Sequence, residues 1–130
     1  MSGLTATAES DTITDVVFGG NGTAYLALHT SDPGNTPDGS TEVTDTNYTR
    51  IEISEADWSE SGDEPTTLTN DIAYTFDTFD ADVGDISHGS ITSGSSGTDY
   101  RVTGSVTPVK TFNAGDAAKY DSGGITFEIQ

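Results

Sequence analysis

Residues 23–30 alternate in the manner of an extended chain. Ala24, Leu26 and Leu28 fall on one face, and Tyr25, Ala27 and His29 on the other. A side-chain period of two belongs to a β-strand, and apolar groups on both faces describe an inner strand covered on both sides. Asp32-Pro33-Gly34 stops it, because proline withholds a ladder donor while Asp and Gly favour turns. Residues 35–47 carry no periodic apolar pattern and predict an exposed loop. A second strand is expected at 48–54, with Ile51 and Ile53 inward and Arg50 and Glu52 outward. Residues 55–65, EADWSESGDEP, read as an acidic loop around the only tryptophan, Trp58. Strand patterns return at 66–69, 72–76, 84–91, 100–104, 106–112 and 124–129, with a Ser/Gly-rich hairpin tip at 90–99 and a tight turn at 113–116.

One helix precedes the strands. Ile13, Val16 and Val17 share a face, Ser10 or Asp11 can cap the first turn, and Gly19-Gly20 can end it, which places the helix at 10–19. Residues 1–9 read as a flexible arm, and removing residues 1–20 is expected to leave the strands folded. The pattern as a whole predicts an all-β protein, a single β-sandwich of about seven or eight short antiparallel strands over residues 10–130 with one short N-terminal helix. A chain of 130 residues has room for one such domain.

Charge narrows the functions. Lys and Arg total 4 against 22 Asp and Glu, a formal net charge of −18. Such a surface repels phosphate, which argues against nucleic-acid binding. In dilute buffer these carboxylates push the compact state apart, whereas at molar salt the Debye length falls to about 3 Å and exposed charges are screened. The chain therefore reads as haloadapted. Low hydrophobicity with high charge is also the signature of disorder, but here the apolar residues fall in short alternating runs. No cysteine is present, so disulfides and thiol chemistry are excluded. No apolar stretch approaches the ~18 residues of a membrane span. Residues 1–10 lack a basic and apolar leader, so the protein is expected to stay in the cytoplasm where it is made.

Tyr25-Leu26-Ala27-Leu28-His29-Thr30, Asp32-Pro33, Glu42-Val43 and Tyr48-x-Arg50 resemble the YLALHTxDP…EV…YxR signature of small β-rich virion proteins of tailed viruses. Members of that group are described as tail-fibre, minor tail or capsid-surface components. The likeness continues through Asn70, Ile86-Ser87-His88 and the segment from Lys110 to Asp116. It implies a non-enzymatic structural protein of the virion, a surface module on capsid or tail such as a turret, fibre base or decoration. Its partners would be further copies of itself and other virion proteins. Combined with the charge, it implies a haloarchaeal virus. The alternative is a receptor- or glycan-binding module at a tail-fibre tip.

Individual residues carry further expectations. Asp77, Asp80, Asp82 and Asp85 cluster around Gly84, and alternating carboxylates at a turn are what Ca²⁺ needs; the segment lacks the terminal bidentate Glu of an EF-hand, so a solvated loop is the plainer reading and no cofactor is assigned. His29 and His88 could form a metal site or a general base if brought together with Asp32 or Asp85, although a strand histidine more often packs. His29, Ser31 and Asp32 do not make a nucleophilic triad, because no glycine elbow surrounds Ser31. Asn21 and Asn47 open two sequons. Tyr48, Arg50 and Trp58 are the interaction candidates. Arg50 is expected to pair with a carboxylate and fix the long loop to its strand. Trp58 is either a lid on the core or an exposed stacking platform.

Overall fold

A computed structural model describes residues 5–34, 36–62 and 65–129. Helix α1 (Ala6–Thr12) leads into a π-helical turn (Ile13–Val17). Among the described residues nine strands follow: β1 (Thr23–His29), β2 (Ile51–Ser54), β3 (Trp58–Ser61), β4 (Thr66–Asn70), β5 (Tyr74–Thr75), β6 (Gly84–Thr92), β7 (Tyr100–Phe112), β8 (Lys119–Tyr120) and β9 (Ile125–Ile129). Seven of them form one antiparallel sheet in the order β2-β1-β6-β7-β9-β4-β3, and β5 pairs with β8 in a small second sheet. The architecture is the all-β one expected, with a single short helical segment at the N-terminus. One curled ladder and the small sheet together enclose the core.

The two outermost strands of the large sheet are consecutive in sequence. Residues 51–61 form β2, bend through a 3-10 turn at Glu55–Asp57, and continue as β3, so one bent segment pairs with β1 at one rim and with β4 at the other. The acidic loop expected at 55–65 is thus corrected: residues 58–61 are an edge strand. Only Trp58 of that strand is buried, and its polar outer residues hid the alternation.

The N-terminal expectation also changes. The helix begins at Ala6, with Thr5 as its N-cap accepting from the Ala8 N–H at 3.2 Å, instead of at residue 10. Residues 5–9 therefore belong to an ordered element, while residues 1–4 of the expected arm lie outside the described residues. Glu9 is buried and accepts from the Thr66 hydroxyl at 2.8 Å, which ties α1 to the start of β4. At the other end of the segment Arg101 donates to the Val16 carbonyl at 2.6 Å, tying it to the start of β7. Ile13, Val17 and Phe18 sit in the core between these two ties. The N-terminal segment is a plug inserted across one end of the sheet, not an appendage.

Residues 100–104 and 106–112, expected as two strands, are one long strand, β7. Gly104 is where β9 presses closest: a Cβ placed there would stand 2.2 Å from the Thr126 carbonyl oxygen. Beyond it the register between β6 and β7 slips, with Ser105 opposite His88 but Lys110 opposite Ile86. Residues 106–109 bulge out at this slip. Val106 turns into the core, and Val109 is left exposed. The strand expected at 72–76 shrinks to β5, and its partner β8 is an addition.

Candidate functional site

The most organised polar cluster lies where β1, the chain before β2 and the β6–β7 hairpin meet. It is built on Glu42, which reaches β1 because His29 and Glu42 form an isolated antiparallel bridge and the Val43 N–H donates to the Leu28 carbonyl at 2.9 Å. Val43 is buried beside them, so the 35–47 loop is pinned at its far end and not wholly exposed.

Arg50 meets Glu42 as a fork. Its Nε donates to Oε2 at 2.8 Å and its Nη2 to Oε1 at 2.7 Å, and the two side chains are only 6% and 12% exposed. The remaining guanidinium donors reach the Gly94 carbonyl at 3.0 Å, the Gly97 carbonyl at 2.7 Å and the Thr92 hydroxyl at 3.3 Å. Tyr48 and Tyr100 complete the carboxylate: their hydroxyls donate to Oε2 at 2.7 Å and Oε1 at 2.6 Å. The Tyr48 oxygen also accepts from the Leu28 N–H at 3.0 Å, and the Arg50 guanidinium lies 5.4 Å over the Tyr100 ring. Burial alone would raise the Glu42 pKa, but the bonds from Arg50, Tyr100 and Tyr48 outweigh it and hold it below the usual value. Burial and the Glu42 carboxylate push the Tyr100 hydroxyl up to about 12.

His29 forms the inner wall. Its Nδ1 is 2.8 Å from the Thr41 hydroxyl, its Nε2 is 2.7 Å from the Ser90 hydroxyl, and its ring meets Tyr100 edge-on at 5.5 Å. Burial, the largest influence, brings its pKa down to about 4. The imidazole is therefore neutral at neutral pH. Both its nitrogens are engaged and both carboxylate oxygens of Glu42 are saturated, so the cluster presents neither a free base nor a free nucleophile. It acts as a clasp joining the 39–50 segment to the hairpin tip, and an open groove of about 580 Å³ lies between the two.

The other sequence candidates fall elsewhere. His88 is the direct cross-strand partner of His29, yet its Nδ1 bonds the neighbouring Ser87 hydroxyl at 2.7 Å. Among the described residues no three His, Asp or Glu side chains converge on a common metal position. The candidate calcium ligands are separated: Asp82 accepts from the Ala114 N–H at 2.9 Å, Asp85 accepts from the Thr111 hydroxyl, and the Asp80 N–H donates to Asp45. The Asp82 and Asp80 contacts join loops, and the Asp85 contact joins paired residues of β6 and β7. Trp58 is 6% exposed, donates to the Tyr74 hydroxyl at 3.0 Å and packs on Phe127. Its indole covers the core, and the Tyr48 ring stacks on Phe76. Each ring thus packs against another aromatic ring.

Tyr48 and Arg50 were visible in the sequence as an aromatic and a rare cation at fixed spacing. Tyr100, Thr41 and Ser90 were not, because their partners lie far away in the chain. Residues 4–128 match the family described as Podophage GP4 fiber I protein gp80. The chain belongs to that family. No curated protein matches it. Membership supports the tailed-virus and fibre side of the earlier resemblance, and with it a virion location. No helix among the described residues is long and apolar enough to cross a membrane.

Proposed function

We propose that the protein is a non-enzymatic structural module of a tailed-virus fibre, carried on the outside of the particle and present in several copies. The observation that carries this reading is the family match, which spans nearly the whole chain. The Glu42–Arg50 clasp is consistent with it. Such a device holds two loops in a fixed relation and leaves no reactive group over.

The composition adds a setting. A net charge of −18 on 130 residues suits brine, where screening removes most of the self-repulsion, and the favoured source is a virus of a salt-loving archaeon. Gold-labelled antibody on purified particles, with cryo-EM of the same particles, tests the structural role. Label at the tail or its fibres is expected. Mature particles that contain no copy of the protein would overturn the reading.

A further inference from the structure

Two surface features of the molecule are complementary to each other. The first is the bulge on β7. Val109 is 59% exposed, more than any other large apolar side chain among the described residues. It lies between Pro108 and the exposed Lys110. Of the four basic residues, Arg50 and Arg101 are held in ion pairs within the fold, whereas Lys110 and Lys119 make none among the described residues. The strand pairings leave the bulge an open edge: β9 pairs with β7 only at Ser105 and Val106, and residues 110–112 pair on the β6 side alone. Pro108 blunts part of that edge, as proline does on edge strands.

The second feature is a groove of about 650 Å³ beside the bend between β2 and β3. Among the described residues β3 pairs with β4 on one side and with no strand on the other. The groove is lined by the apolar surface of Trp58 and Ala56, by the carboxylates of Glu55 and Glu60, and by Asn21 and Thr23. It is therefore a groove next to an outer strand, with a small apolar floor and two carboxylates. A short extended segment with one apolar and one basic side chain matches it in both shape and charge, and nearly all the rest of this surface is acidic.

We infer that the groove receives the Pro108-Val109-Lys110 bulge of a second copy of the chain, with Val109 on the Trp58 floor and Lys110 against Glu60. The inference deepens the multi-copy reading above and rests on it. The two surfaces are different patches, so the contact is head-to-tail and generates a ring or an open row of subunits, depending on whether its rotation closes. Its small size makes it weak for a single pair, and many copies held on one particle strengthen it through effective concentration.

The test is sedimentation of the full chain at graded concentration in molar salt, where mutual repulsion of the subunits is screened. The wild type is expected to self-associate. Lys110→Glu should weaken association about tenfold or more, since it sets like charges face to face. Lys119→Glu, which changes the net charge equally, should leave it within about twofold, and adding Glu60→Lys to Lys110→Glu should restore it. Zero-length carbodiimide coupling of mixed ¹⁵N-labelled and unlabelled copies should join Lys110 of one copy to Glu60 of another. All these positions are exposed, and circular dichroism checks that each variant folds. A wild type that stays monomeric, an equal loss from Lys119→Glu, or cross-links that avoid Glu60 would each overturn the assignment. Presence of the protein in particles is measured separately, so the fibre reading stands or falls on its own.

Discussion

Replacing Arg50 by alanine should be the most damaging single change at the polar clasp. It removes both bonds to Glu42 and those to the Gly94 and Gly97 carbonyls. The larger effect is on what remains. Glu42, 12% exposed, would keep its charge with only two tyrosine hydroxyls to satisfy it. Breaking one side of a buried pair in this way costs about 3–5 kcal/mol, against about 0–1 kcal/mol for an exposed pair. A domain of this class has a total stability of about 5–15 kcal/mol. At about 3–5 °C per kcal/mol, the melting temperature should fall by roughly 10–20 °C. Calorimetry in molar salt measures this directly. Because the damage comes from an uncompensated carboxylate, adding Glu42→Gln to Arg50→Ala should recover about 1–2 kcal/mol. A loss of less than about 1 kcal/mol for the single variant, or a double variant weaker than the single, would refute the reasoning.

Acid should unfold the protein in two stages. His29 has its pKa lowered to about 4 from 6.5, so between those values the unfolded chain binds a proton that the folded one refuses, and about 3 kcal/mol of stability is lost as pH falls through that window. Asp45, held low by the Asp80, Asn47 and Ala81 N–H bonds, and Glu42 add their losses below about pH 4.5, where the unfolded carboxylates protonate first. Chemical denaturation at stepped pH, with an NMR titration of His29, separates the stages; a His29 midpoint near 6.5 would contradict the first. Gly104→Ala should cost about 3 kcal/mol or more, because the added carbon would meet the Thr126 carbonyl, a backbone atom that cannot swing away. The urea midpoint reports this. Deleting residues 1–20 should abolish folding, because it strips Ile13, Val17 and Phe18 from the core at about 1.5–3 kcal/mol each. A dichroism spectrum with strand content intact would count against the plug.

Strand β1 was legible almost to the residue, because its alternation is clean and Asp32-Pro33-Gly34 cuts it off. β3 was not. An edge strand on an acidic surface buries one residue in four, and Trp-Ser-Glu-Ser carries no readable period. Gly104 suggested a break between two strands, yet it is glycine because β9 crosses there, a fact of tertiary contact that no local pattern holds. Of the apolar triple, Ile13 and Val17 are buried in the π-helical turn that follows α1 but Val16 is exposed, while the true cap, Thr5, lay in a stretch too polar to announce a helix. The clasp was half legible. Arg50 was expected to take a carboxylate and pin the long loop, and Glu42 is that carboxylate. Its second tyrosine, from β7, could be found only once the sheet order was known.

The bend at Glu55–Asp57 also sets the order in which this fold can be completed and undone. Residues 51–61 hold both rims by two kinds of pairing: β3 joins β4 in a local hairpin, whereas the pairings of β2 with β1, β1 with β6 and β4 with β9 link segments far apart in sequence. Such non-local pairings are slow to form, because the entropy of closing the intervening chain is lost before the contacts repay it. The β3 half of the bent segment can therefore pair early with β4, while its β2 half is seated only once β1 is in place. A single cut at Glu55–Asp57 would uncouple the two rims, leaving β2 held by β1 alone and β3 by its hairpin with β4.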